Sequence, residues 1–273
     1  MVYFFASLQE GRNVFSIMLF ILLMGAWSPG APPAIQAEGS GALPHATPSQ
    51  LRRTLLPSRG KESVAAGSRE VWDRFIVFEG IDGTGTTTQR NLLSETLRTR
   101  SIPFHSTAEP TDSEIGRLIR RVLAGDVRVR PETLAYLYAT DRNEHLFGEG
   151  GIREHLDAGE VVVCDRYFFS SLAYQGSACG PELPERLNQG FPLPSLLVYF
   201  ELSPDRALSR ISGRGVPDIF ERGDFLSQVS RAYEDILNRC ADQGLRVIRI
   251  DGSRTIPEVA DDIQRAVLSA IEG

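Results

Sequence analysis

The chain has 273 residues and a formal net charge of −6, with 42% hydrophobic and 23% charged residues. That is an ordinary globular composition, with room for one large domain or two small ones. The acidic balance argues against a broad nucleic-acid surface. Three widely spaced cysteines, Cys164, Cys179 and Cys240, form no C-x-x-C pair. They argue against a zinc site or a disulfide framework and fit a reducing compartment.

Residues 1–70 differ from residues 71–273. Val14 to Trp27 is strongly apolar and follows Arg12, but it is shorter than the roughly 20 residues a membrane span needs. With the Ala-rich segment ending at Ala37, it has the pattern of a secretory signal peptide. Glu38 to Arg69 is rich in Gly, Ser, Pro and Ala without an apolar period, the composition of a disordered linker. Three readings stay open: a translation start drawn too far upstream, an export signal or anchor, and a plain tail. Membrane contact is expected only if the apolar segment is real.

From Val71 strands and helices alternate. Phe75 to Phe78 reads as a buried parallel strand, followed by a glycine loop and a helix from Thr86 to Arg100. Ile102 to Thr107 reads as a second strand. Helices follow over Ser113 to Ala124, over Pro131 to Phe147 with proline suited to the first turn, and over Ile152 to Ala158. Val161 to Cys164 and Leu196 to Leu202 are further strands. Pro204 to Ser212 and Phe225 to Ala241 are helices, Arg246 to Ile250 a strand and Ile256 to Ile271 a last helix. This order predicts an α/β fold, three layers around a central parallel sheet, with ligands at the strands' carboxyl ends.

The loop reads Gly80-Ile81-Asp82-Gly83-Thr84-Gly85-Thr86-Thr87. Strand, glycine loop and helix together form a phosphate cradle, in which backbone N–H groups and the helix N-terminus face the anion. Against the pattern G-x-x-x-x-G-K-S/T, Gly80, Gly85 and Thr87 are in register, but Thr86 stands at the lysine. Lys61 is the only lysine in the chain. Any cation at the loop is therefore an arginine or a metal ion. A glycine-rich turn without a ligand is the alternative.

Asp165 ends an apolar strand at the same sheet edge, where a carboxylate can hold magnesium, and Arg166 can fork onto a phosphate. Ser171, Tyr174 and Gln175 fall at i, i+3 and i+4, one helix face with groups that can read a base edge. The alternative is a strand end capped by an Asp–Arg pair. Tyr138 and Arg142, also i and i+4, can stack and hydrogen-bond a base. Otherwise the tyrosine packs in the core and Arg142 pairs with Asp141 or Glu144.

Taken together, FEGIDGTGTTTQ, AEP at 108–110, DR at 141–142 and DRYFFSSLAYQG at 165–176 resemble the thymidylate (dTMP) kinase family. The resemblance runs from about Arg74 to Glu272 and implies a P-loop nucleoside monophosphate kinase fold. It implies a cytoplasmic homodimer that phosphorylates dTMP to dTDP with ATP and Mg²⁺. By the resemblance, Gly80 to Thr87 wrap the ATP phosphates and Asp82 takes the sugar 3′-hydroxyl. Tyr138 stacks on thymine and Arg142 bonds the base. Asp165 and Arg166 serve magnesium and the dTMP phosphate, with Thr87 also on the metal. Ser171, Tyr174 and Gln175 line the base and sugar pocket. Arg210 and Arg214 belong to a catalytic lid. Gly83 holds a position that is arginine in some members of the family; by the resemblance, members lacking that arginine supply a basic residue from the lid.

The sequence also departs from the family at three cations. Thr86 replaces the lysine, Ala108 replaces an arginine, and the lid motif reads Asp218-Ile219-Phe220-Glu221 without its arginine. Each such group is worth about 2.7–4 kcal/mol in a transition state. Active protein therefore requires compensation by Arg210, Arg214, Arg222 or another arginine. The alternatives are a non-catalytic nucleotide-binding protein and a kinase for another nucleoside monophosphate.

Overall fold

The computed structural model describes residues 69–211 and 223–272. The readings for the N-terminal segment, and for Arg214, Asp218 to Glu221 and Arg222, lie outside the described residues. The elements are β1 (Val71–Gly80), α1 (Thr86–Thr99), β2 (Phe104–Ala108), α2 (Glu114–Leu123), α3 (Pro131–Phe147), α4 (Ile152–Asp157) and β3 (Val161–Asp165). Next comes one helical stretch in three parts: α5 (Phe168–Ser170), a π turn (Ser171–Gln175) and α6 (Gly176–Cys179). Then follow α7 (Glu182–Asn188), β4 (Leu193–Glu201), α8 (Pro204–Ile211), α9 (Gly223–Asp242), β5 (Val247–Asp251) and α10 (Ile256–Glu272).

The strands form one five-stranded sheet in the order β2-β3-β1-β4-β5, and every pairing is parallel. All five carboxyl ends therefore share one edge. Alternate β1 side chains enter two cores. Ile76 and Phe78 meet Leu93 and Leu97 of α1 and Ile263 and Val267 of α10. Phe75 and Val77 meet Leu146, Phe168, Val229 and Tyr233 of the helices opposite. Both faces are covered, which explains why Phe75 to Phe78 is continuously apolar. Each of those four residues is fully buried and contributes about 1.5–3 kcal/mol.

β1 starts four residues before the predicted Phe75. Val71 and Trp72 pair with Leu193 and Pro194, and the register shifts between Trp72 and Ile76. Arg74 takes φ 57° there, a bulge that bends the strand and breaks its apolar pattern. Pro131 begins α3 as predicted, and the Ser113 hydroxyl caps α2 by accepting from the Gly116 amide at 3.1 Å. A Cβ at Gly116 would lie 1.8 Å from the Thr111 carbonyl, so only glycine allows this cap to close. Among the described residues no helix is long and apolar enough to cross a membrane.

Candidate active site

β1 feeds directly into the glycine loop. The Thr84 amide and hydroxyl both donate to the Ile81 carbonyl, at 3.3 and 2.8 Å. Gly83 takes φ 88° and Gly85 φ 96°, left-handed conformations that favour glycine. A Cβ at Gly83 would also lie 2.6 Å from the Ala207 carbonyl of α8. Gly85 caps α1 without a side-chain hydrogen bond, and the first turn carries no acidic residue. The orphan amides and positive end of this 14-residue helix therefore face the loop as an anion site. Thr86, at the lysine position, is buried and brings no charge.

Parallel pairing sets Phe78, Ala108 and Asp165 side by side. The Thr87 hydroxyl donates to Asp165 Oδ2 at 2.6 Å. Asp165 Oδ1 is buried and has no hydrogen-bond partner among the described residues. A buried carboxylate oxygen without a donor, beside a hydroxyl, matches the hard oxygen ligands magnesium takes. These residues fit the ion.

Arg166 stands at φ 70°, an uncommon backbone state for a residue with a side chain. Its amide donates to the Phe78 carbonyl at 2.9 Å. Its guanidinium donates to the Gly80 carbonyl at 2.8 Å, to Ser170 Oγ at 3.2 Å and to Asp82 Oδ1 at 2.5 Å. The Asp82 amide donates to Tyr174 Oη, and that hydroxyl donates to Asp82 Oδ2, both at 3.0 Å. Asp82, Arg166 and Tyr174 thus form one unit at the first turn of the loop. Burial, then the Asp82 charge, holds the Tyr174 phenol well above its usual pKa, so it stays a neutral hydroxyl.

Across the pocket, Tyr138 and Arg142 project from α3. Both line a cavity together with Asp82, Arg166, Tyr174 and Gln175. Arg142 is 1% exposed and pairs with neither Asp141 nor Glu144. Its Nε and Nη2 donate to Glu109 Oε2 at 2.9 and 2.6 Å, Nη1 to Asn188 Oδ1 at 2.6 Å and Nη2 to Ser171 Oγ at 3.1 Å. Asp141 instead accepts from the Thr111 amide and from the Thr111 and Ser113 hydroxyls, which orders the turn before α2.

The α-helical face expected for Ser171, Tyr174 and Gln175 is altered, because Ser171–Gln175 is a π turn. Ser171 sits behind Arg142, Tyr174 reaches Asp82, and Gln175 lines the cavity. Arg210 lies on the other side of the loop. Its guanidinium donates to the Gly83 carbonyl at 3.4 Å and to the Gly252 carbonyl at 2.9 Å.

The family model described as thymidylate kinase matches residues 78–263. The chain belongs to the thymidylate kinase family. A Treponema pallidum protein named as a thymidylate kinase is 42% identical over 192 residues, covering 69% of this chain and 92% of its own. A thymidylate kinase of Leptospira interrogans is 35% identical over 202 residues, covering 72% and 95%. An Aeropyrum pernix protein also named as a thymidylate kinase is 36% identical over 205 residues, covering 72% and 97%. The chain is thus a nucleoside monophosphate kinase of the P-loop class, and the parallel α/β sheet agrees with that.

Several residues of this kinase site carry little signal in the sequence. Asn188 and His145 have no motif around them. Glu79 does have one, a charge closing an otherwise apolar strand. It is fully buried. Oε1 accepts from the Tyr167 and Ser170 amides at 2.9 and 3.0 Å. Oε2 accepts from the hydroxyls of Ser170 and Tyr233 at 2.7 and 2.8 Å. Glu79 thereby fixes Ser170 beneath the Arg166 guanidinium.

Burial raises the Glu79 pKa above the ordinary 4.5, against Arg166 and the hydrogen bonds from the Ser170 and Tyr233 hydroxyls and the Tyr167 amide, which lower it. The folded state then holds its proton to higher pH than the unfolded chain. The associated stability is complete below the unfolded value and is lost as pH rises through the folded one. Glu79→Gln keeps the shape and cannot ionise. Its melting temperature relative to the parent should therefore rise between pH 4 and neutrality. A difference that is flat with pH, or that falls, contradicts the buried-carboxyl account.

Proposed function

We propose that this chain transfers the γ-phosphoryl of ATP to dTMP, giving dTDP, with the roles assigned to the residues named above. The activity is that of the family. The observation that carries the role assignment is the unit of Asp82, Arg166 and Tyr174 against the glycine loop, with the Arg142 pocket opening onto the same unit.

Positioning and electrostatics suffice for in-line transfer, and no covalent intermediate is required. The loop amides from Gly80 to Thr87, other than those of Asp82 and Thr84 that bond Tyr174 and Ile81, hold the ATP phosphates together with the α1 terminus. Thr87 and Asp165 would hold Mg²⁺, which would neutralise charge on the ATP phosphates when bound. Asp82 accepts from the sugar hydroxyl of dTMP, Arg166 meets its phosphate, Tyr138 stacks on thymine, and Tyr174 and Gln175 close the sugar and base pocket. Arg142 has five N–H donors and spends four on Glu109, Asn188 and Ser171. The fifth is left to donate to a base carbonyl.

The loop lacks a lysine, but two guanidiniums grip its carbonyls, Arg166 at Gly80 and Arg210 at Gly83. They are the cations proposed to stand in for it, with Arg214 assigned by resemblance alone. The kinase domain is taken as residues 71–273 and its assembly as a homodimer, to be checked by solution mass. Cys164, Cys179 and Cys240 are free thiols, in keeping with a cytoplasmic setting.

The test is ADP release from ATP and Mg²⁺ with dTMP, dUMP, dCMP, dAMP and dGMP in turn. Turnover should be selective for dTMP. Preference for another acceptor would move the reading to a different monophosphate kinase, and dTMP binding without any turnover to a nucleotide-binding protein.

A further inference from the structure

His145 lies three residues after Arg142 on α3, and its side chain is 8% exposed. Its ring joins Thr107 of β2 and Glu109 just past the strand. Nδ1 lies 3.2 Å from Glu109 Oε1, and Nε2 lies 2.7 Å from Thr107 Oγ1. A carboxylate only accepts, so Nδ1 carries the hydrogen in the first contact. Glu109 is itself 2% exposed at the side chain. Its other oxygen, Oε2, receives both Nε and Nη2 of Arg142.

These contacts link the imidazole to the pocket through one carboxylate. Oε2 sets the plane of the guanidinium. Oε1 is satisfied by His145, with no other hydrogen-bond partner among the described residues. Without that donor, the carboxylate is free to rotate toward another, or Oε1 is left buried and unmet, which is costly. Rotation of the carboxylate turns the plane of Arg142 and the direction of its one remaining N–H. That N–H is the group that distinguishes a base carbonyl from a base amino group.

We infer that His145 is a positioning residue for base selection, which holds Glu109 so that Arg142 presents its last donor to the pyrimidine carbonyl. The inference rests on the assignment of Arg142 to the base pocket. It assigns no contact between His145 and the nucleotide.

The experiment compares His145→Asn, His145→Gln and His145→Leu in steady-state kinetics with dTMP, dCMP and ATP, alongside thermal melts. The Asn amide nitrogen falls near the place of Nδ1 and can donate to Glu109. The Gln amide falls near Nε2 and reaches Thr107 alone. His145→Leu and His145→Gln should raise KM for dTMP about tenfold, the size of one buried hydrogen bond left unmade. They should narrow the dTMP-to-dCMP ratio of kcat/KM by a similar factor and leave KM for ATP unchanged. His145→Asn should stay within about threefold of the parent.

If His145→Leu does not fold, the Asn and Gln pair decides alone. Two results overturn the inference: unchanged KM and selectivity in the Gln variant whatever its melting temperature, or an Asn variant as impaired as Gln. Failure of the underlying reading looks different, because the parent protein itself would then show no preference for dTMP over dCMP.

Discussion

Arg166→Ala lowers kcat with ATP and dTMP by about 10²–10³-fold, while the protein stays folded. The expected size is that of one positioned donor lost from a site of developing charge, about 2.7–4 kcal/mol. Three features make this the most sensitive side chain of the site. It donates to the Gly80 carbonyl, the first residue of the glycine loop, and to Asp82 within it. Its backbone is held in the left-handed region by the Phe78 carbonyl, so the guanidinium is aimed by the chain as well as by its partners. In a chain whose only lysine is Lys61, it also carries charge that other P-loops divide between two residues. Arg166→Lys should recover little, because one ammonium on a flexible stem cannot reproduce a planar fork to Gly80, Asp82 and Ser170. Measured kcat in either variant within tenfold of the parent would remove Arg166 from the mechanism.

Arg142→Ala has the largest expected effect on stability. It leaves the Glu109 carboxylate buried without its cation, and it orphans Asn188 Oδ1 and Ser171 Oγ. Breaking a buried ion pair by removing one partner costs about 3–5 kcal/mol. In a domain of this size that is roughly a 10 °C fall in melting temperature. Contacts of the guanidinium with the Tyr167 and Phe191 rings, 5.4 and 5.8 Å from their centroids, are lost as well. The control is the double variant Glu109→Gln/Arg142→Met, which removes both charges and keeps most of the volume. It should melt well above the single Ala variant, because the cost lies in the uncompensated charge. A fall of under 2 °C for Arg142→Ala would contradict this, as would a double variant that melts lower than the single one.

The fold was largely legible because burial writes itself into the chain. β1 and β3 lie between two helical layers, so Phe75 to Phe78 and Val161 to Cys164 are unbroken apolar runs. The glycine loop between β1 and α1 left its spacing, and Pro131 marked the start of α3. Where local pattern and final structure part, the cause is tertiary. The first four residues of β1 are strand only because Leu193 and Pro194 pair with Val71 and Trp72. α7, within PELPERLNQG, is too short for a period to show and contains a proline, and no element was expected there. Around the π turn at Ser171–Gln175, Ser171 meets Arg142 and Tyr174 meets Asp82, partners far away in the chain. No count of sequence spacing contains that.

The site was legible as a set of residue types at one sheet edge. Its wiring was not. Spacing pairs Arg142 with its helix neighbours Asp141 and Glu144, but its partner Glu109 is 33 positions away, just past the end of β2. The same holds for Asn188 and His145, whose roles exist only once β2, α3 and α7 are packed. The sequence names Arg210 among the candidate replacements for the lysine, and Arg166 only as a phosphate ligand. That both hold loop carbonyls follows from β3 and α8 flanking the loop, which the order of elements alone does not fix.

A thymidylate kinase site should remain catalytic with Thr86 in place of the loop lysine. The direct measurement is dTDP formation by the purified full chain from ATP and dTMP, separated chromatographically, with and without EDTA. The expected result is sustained multiple turnover that stops when the divalent cation is chelated. Folded protein that binds dTMP yet forms no dTDP at saturating ATP and Mg²⁺ would contradict it.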